Sequence, residues 1–105
     1  MYTLKLKEAG FDIGVAPDGR KGLDEVRAGG YDLVLLDVVL PIIDGFEVLE
    51  TLNREGSPHP PIVLLTNLGQ KEDVERGLAL GAVDYVIKAH YTPSEVVEKV
   101  RDGFA

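Results

Sequence analysis

Three apolar runs in this sequence stop on residues that could handle a phosphoryl group. Residues 33–36 (Leu-Val-Leu-Leu) lead to Asp37, residues 62–65 (Ile-Val-Leu-Leu) lead to Thr66, and residues 83–87 (Val-Asp-Tyr-Val-Ile) lead to Lys88. Short runs of this kind read as strands buried on both faces, as in a parallel sheet. Parallel strands bring their C-terminal ends to one edge, where open α/β sheets hold their ligands. A carboxylate, a hydroxyl and an ammonium would then meet in one crevice. The carboxylate can attack phosphorus to give an acyl phosphate. The lysine and the hydroxyl can hold the transferred oxygens, and a divalent cation can neutralise their charge. Singly, each residue has a blander reading: an acid in solvent, a hydroxyl bonding backbone, a solvated lysine. The chemistry comes from the convergence.

Composition sets the bounds. A chain of 105 residues is large enough for one domain with one core. With 45% hydrophobic and 28% charged residues it reads as a globular protein. It has no cysteine, and two scattered histidines, His59 and His90, make no metal cluster. The net charge of -7 argues against direct contact with nucleic acid, which needs a basic surface. No stretch approaches the roughly 20 apolar residues of a membrane span. The N-terminus lacks the apolar core of a signal peptide, so a cytoplasmic protein is expected.

The elements that must position the three residues can be taken in order. Leu4, Leu6 and Ala9 before Gly10 read as the last turns of a helix. Residues 11–16 alternate as Phe-Asp-Ile-Gly-Val-Ala, which predicts a half-buried edge strand. Pro17-Asp18-Gly19 is a turn, and residues 20–28 form a short amphipathic helix stopped by Gly29-Gly30. The strand over 31–37 follows. Pro41 then breaks regular structure, and Asp44 can cap a helix running from about 45 to 54 with Phe46, Leu49 and Leu52 on one stripe. Residues 55–60 are loop. The strand over 61–66 precedes a helix over 70–80 with Val74, Leu78 and Ala79 expected inward. After the strand over 83–88, Thr92-Pro93-Ser94-Glu95 is a capping box with proline at the first helical position. Val96, Val97, Val100 and Phe104 form the expected buried face of the last helix. Strand and helix alternate, so the fold class is α/β with a mostly parallel sheet of about four strands (11–16, 31–37, 61–66 and 83–88) and right-handed crossovers.

On these residues the sequence resembles the receiver domain of two-component response regulators, which has a flavodoxin-like fold. Asp37, Pro41, Asp44 and Gly45 match the family's acceptor motif. Thr66 matches its strand-end Thr/Ser, Lys88 its lysine, and Tyr85 its aromatic switch position three residues before that lysine. The resemblance runs from Leu4 to Phe104. It implies a phosphorylation switch. Asp37 would accept a phosphoryl group from a phosphohistidine on a sensor histidine kinase or phosphotransfer protein, with Mg2+ bound. Thr66 would hydrogen-bond the phosphoryl oxygens and Lys88 would pair with them. Movement of Thr66 would let Tyr85 turn inward and reshape the face offered to a downstream protein target. Any catalysis would be limited to self-phosphorylation and self-dephosphorylation. A flavodoxin-like cofactor binder fits less well, because no glycine-rich phosphate loop follows a strand.

The family begins with an apolar strand that ends in two acidic residues and lies inside a sheet of order 2-1-3-4-5. Neither feature is present here. The expectation is a single receiver-like domain over 1–105 that lacks the first strand and the start of the first helix. The metal ligands left would be Asp37 and the backbone carbonyl of Val39, few for a hard cation. The strand over 11–16 and the strand over 31–37 would both have unpaired edges, which favours self-association or exchange through the gap. The family's usual proline after the lysine is Ala89 here. A cis bond before alanine costs about 2.5–4 kcal/mol, so the Lys88 loop is expected to differ. Two functions follow: a phosphate-accepting switch, or an N-terminally truncated receiver-derived interaction domain without phosphotransfer.

Overall fold

The computed structural model describes residues 2–56, 58–67 and 69–102, with side chains from Leu4 onward. At its centre is a parallel sheet of three strands, β1 (Val34–Leu36), β2 (Ile62–Thr66) and β3 (Asp84–Ile87), in the order β1-β2-β3. The register pairs Leu36 with Leu64 and Thr66 with Ile87. Five helices surround it: α1 (Tyr2–Glu8), α2 (Gly19–Ala28), α3 (Gly45–Glu55), α4 (Lys71–Ala79) and α5 (Pro93–Asp102). This is the flavodoxin-like α/β arrangement expected from the sequence.

The sheet divides two apolar layers. Ile62 and Leu64 of β2 face Leu23 and Val26 of α2 and Phe46, Leu49 and Leu52 of α3. Val63 and Leu65 face the other way, toward Val96 of α5. All five residues of β2 are buried, which is why its sequence runs apolar without alternation. α1 packs beside α5 on the second layer. Among the described residues no helix is long and apolar enough to cross a membrane.

Helix starts follow their capping residues. Asp44 accepts a hydrogen bond from the Glu47 N–H at 2.8 Å and starts α3. Thr92 and Glu95 form the reciprocal capping box, at 2.8 and 3.2 Å, that starts α5. Asp18, read from sequence as a turn residue, also caps α2 by accepting from the Lys21 N–H at 2.8 Å. Arg27 donates through two nitrogens to the Glu55 carboxylate and ties the ends of α2 and α3 together.

Four expectations need correction. Residues 11–16 form no strand, so the sheet has three strands among the described residues, not four. Side-chain alternation predicts which face a strand buries, but a ladder also needs a neighbour, and this segment is separated from β1 by an open cleft. β1 is shorter than the run that encodes it, and among the described residues it pairs on one side only. In α4 the inward residue is Gly77, while Leu78 is 46% exposed and Ala79 is exposed. The helix has turned so that its glycine faces β3. Lys88 lies outside β3 and opens a 3-10 turn, Lys88–His90, and the described backbone has no cis peptide bond. Phe104 lies outside the described residues.

Ile42 has φ +73°, the left-handed region that β-branched residues avoid. The Ile43 N–H donates to the Pro41 carbonyl at 2.9 Å, so Ile42 sits at the centre of a strained γ-turn. Its side chain is 71% exposed and contributes little packing. The backbone strain costs about 1–2 kcal/mol. Ile42→Gly is therefore expected to stabilise the fold by about 1 kcal/mol, after the entropy of glycine in the unfolded chain is counted. Urea unfolding should show a higher midpoint; a lower one would show that the Ile42 side chain contributes more than its exposure indicates.

Candidate functional site

The parallel register brings the ends of β1, β2 and β3 to one edge, and with them Asp37, Thr66 and Lys88. Asp37 and Lys88 meet directly. The Lys88 Nζ donates to Asp37 Oδ2 at 2.7 Å, joining residues 51 positions apart in sequence. Their side chains are 32% and 28% exposed, so both remain reachable from solvent. The other carboxylate oxygen, Oδ1, accepts from the Val39 N–H at 3.1 Å, an Asx-type turn that fixes the carboxylate plane. Thr66 is 2% exposed and, among the described residues, is the one buried polar side chain.

The loop from Val38 to Asp44 is held by close backbone approaches. The Gly45 N–H donates to the Val38 carbonyl at 2.8 Å. A Cβ on Gly45 would collide with the Asp37 carbonyl oxygen and lie 2.8 Å from Val38 Cα. A Cβ on Gly19 would likewise meet the Ile43 carbonyl. The starts of α2 and α3 thus close on this loop from two sides. These approaches are invisible as sequence spacing; Gly45 stands out only because Asp44 precedes it.

Tyr85 packs with Leu64 on the α3 side of the sheet and is half-buried. Gly77 of α4 lets the ring lie close: a Cβ there would be 3.0 Å from Tyr85 Cδ2. Burial pushes the Tyr85 phenol above its ordinary value, and the charges of Asp73 and Asp37 push it the same way. The ring therefore stays neutral across the physiological range.

The Mg2+ implied by the resemblance has few donors here. Among the described residues no three His, Cys, Asp or Glu side chains gather into a group able to hold a metal ion. The sequence offers Asp37 and the Val39 carbonyl. Both oxygens of Asp37 already accept hydrogen bonds, one of them from an ammonium. Mg2+ wants near-octahedral oxygen ligation, usually from one or two carboxylates plus water and substrate. The described residues alone fit it poorly.

Comparison with known proteins places this geometry. The family model for the response regulator receiver domain matches residues 2–101. The transcriptional regulatory protein CusR of Escherichia coli K12 is 39% identical over 99 residues, 94% of this chain and 43% of CusR. The DNA-binding response regulator MtrA of Mycolicibacterium smegmatis is 43% identical over 101 residues, 96% of this chain and 43% of MtrA. The chain thus spans less than half the length of these relatives. Among solved structures, the receiver domain of the Francisella response regulator 1452 superposes with a TM-score of 0.87 at 28% identity, covering 98% of this chain and 84% of that one. The BeF3-activated DrrB receiver domain superposes with a TM-score of 0.79 at 30% identity, covering 96% and 82%. With a match across nearly its whole described length and a strand-end Asp–Lys pair at the edge of a parallel sheet, the chain belongs to the response regulator receiver domain family, the phosphorylation-switched modules of two-component signalling.

Proposed function

We propose that residues 1–105 act as one receiver unit in which Asp37 accepts a phosphoryl group from a phosphohistidine of a sensor histidine kinase or phosphotransfer protein. The observation that carries this reading is the 2.7 Å contact between Lys88 Nζ and Asp37 Oδ2. It puts a cation where phosphoryl oxygens would develop charge. A carboxylate oxygen of Asp37 attacks phosphorus, the new P–O bond forms, and the P–N bond breaks with its electron pair leaving on the partner's imidazole. Lys88 then passes from the carboxylate to a phosphoryl oxygen. The Thr66 hydroxyl, fixed in a buried strand end, holds a second oxygen. Closure of Thr66 on the phosphoryl group makes room beside it, and Tyr85 turns into that room.

The output of this switch is a contact with a downstream protein target at the face bordered by α4, β3 and α5. The net charge of -7 disfavours direct binding to nucleic acid. The DNA-binding role that MtrA's name carries would reside outside the stretch this chain matches. A cytoplasmic location suits a partner kinase that presents its phosphohistidine there. A Mg2+ ion supporting the transfer would draw on Asp37 and the Val39 carbonyl and would need oxygen donors beyond those two.

Intact-mass analysis after incubation with acetyl phosphate and Mg2+ tests the acceptor. One phosphoryl increment is expected on the native chain and none on Asp37→Asn. Removing the nucleophile is expected to lower the yield by a factor of about 10³ or more, given the size of single-group effects in such sites. An increment of equal size in both proteins would overturn the assignment of Asp37. A folded native chain with no increment would leave the second function, a receiver-derived interaction domain.

A further inference from the structure

α4 is seated on the sheet almost without side chains. Gly77 is its one buried residue, Asp73 and Val74 are half-buried, and the rest of Lys71–Ala79 is exposed. Glycine weakens a helix interior relative to alanine, so a glycine here needs a steric reason. The reason lies in β2 and β3. Leu64 and Tyr85 are partners across the ladder and share one face of the sheet. A Cβ on Gly77 would lie 2.5 Å from Leu64 Cδ1, 3.0 Å from Tyr85 Cδ2 and 3.3 Å from Tyr85 Cε2. The space a side chain would fill is thus shared by a leucine tip and one edge of the Tyr85 ring.

Burial decides which neighbour a side chain at 77 would displace. Leu64 is 0% exposed and closed in by the first apolar layer, so its tip cannot move aside. Tyr85 is half-buried, so its ring can leave. α4 is also tied against retreat. The Arg76 guanidinium lies over the Phe46 ring of α3, 4.4 Å from its centroid. The Asn53 amide of α3 donates to the Leu80 carbonyl at the end of α4. The ring has a direction on the helix. Asp73 lies one turn before Gly77 on the same face, and its charge acts on the Tyr85 phenol. The ring edge therefore rests on Gly77 with the hydroxyl end toward Asp73. Thr66 lies two residues beyond Leu64, on the same face of the sheet and diagonal to Tyr85.

We propose that Gly77 is a positioning residue for Tyr85: its missing side chain seats the ring on α4, and a methyl group there drives the ring off the helix toward Thr66. The proposal rests on the reading above in one respect, that the place beside Thr66 is the one Tyr85 takes after phosphorylation. Gly77→Ala then gives the unphosphorylated chain the ring position that phosphorylation produces.

The test uses the full chain with 13C-labelled tyrosine rings and reads ring contacts by NMR. In the native chain the Tyr85 ring is expected to contact the Gly77 α-protons. In unphosphorylated Gly77→Ala the ratio of turned to seated ring is expected to rise about tenfold or more, with a new contact to the Thr66 methyl. Leu64→Val withdraws the Cδ1 atom that confines the methyl, so Gly77→Ala/Leu64→Val is expected to bring the ring back to α4. Urea unfolding separates eviction of the ring from general crowding. Tyr85→Val should lower the midpoint of the native chain clearly and that of Gly77→Ala little, because the two sites are coupled through the ring. If Gly77→Ala fails to fold, adding Tyr85→Val is expected to restore the fold. A folded Gly77→Ala chain whose ring stays on α4, or turns to solvent away from Thr66, would overturn the proposal. So would equal midpoint losses from Tyr85→Val in both backgrounds, or an unfolded Gly77→Ala chain that Tyr85→Val does not restore. The native chain phosphorylated with acetyl phosphate is read separately. A ring that stays on Gly77 there, yet moves to Thr66 in Gly77→Ala, would support the seat and count against the switch role of Tyr85.

Discussion

Gly45→Ala is expected to destabilise the fold by about 2–4 kcal/mol and to slow phosphoryl transfer to Asp37 about 100-fold. The reason is geometric. A methyl group at this first residue of α3 has no space: its neighbours are the Asp37 carbonyl oxygen and Val38 Cα, both backbone atoms that cannot rotate away. Either α3 retreats, breaking the 2.8 Å bond from Gly45 N–H to the Val38 carbonyl, or the residues carrying Asp37 move. Alanine normally favours a helix over glycine by about 1 kcal/mol, so the sign of the effect separates the two terms. Denaturant unfolding with a phosphotransfer time course reads both. A stable Gly45→Ala chain with a native rate would show that the α3 start does not set the position of Asp37.

Lys88→Gln is expected to have the opposite profile, with little change in stability and a large change in rate. The Asp37–Lys88 pair is about 30% exposed on both sides, so solvent screens it and its loss should cost no more than about 1 kcal/mol. The phosphorylation rate should fall by about 10²–10³, the effect of removing one preorganised charge that meets developing negative charge. Glutamine keeps a donor of similar reach but no charge. Unfolding midpoints and initial rates with acetyl phosphate check the two halves separately. A stability loss above 2 kcal/mol with an unchanged rate would make Lys88 a structural partner of Asp37 and remove it from the chemistry.

Much of this site was legible in the sequence because its determinants are local. A strand buried on both faces must be apolar throughout, so residues 62–65 announced β2, and the first polar residue after each run marked the functional edge. Asp44 and Thr92 declared helix starts through capping chemistry. What escaped depends on neighbours that are distant in the chain. Residues 11–16 have the alternation of a strand, but among the described residues no strand lies beside them to form a ladder, so they are irregular. The face that α4 presents was misjudged because apolar spacing favoured Leu78, while β3 demanded the small Gly77 beside Tyr85. The γ-turn at Ile42 could not be foreseen, since a β-branched residue argues against a positive φ. The gathering of Asp12, Asp18, Glu25, Asp32 and Asp37 around one cleft appears only when the fold brings them together.

The most direct test of the acceptor chemistry locates the phosphoryl group itself. The phosphorylated chain is treated with borohydride, which reduces an aspartyl phosphate to homoserine, and the peptides are mapped by mass spectrometry. Conversion at residue 37, in proportion to the phosphoryl increment on the intact chain, is the predicted result. Stable phosphate on Ser94 with residue 37 unconverted, or conversion at another aspartate, would contradict the account.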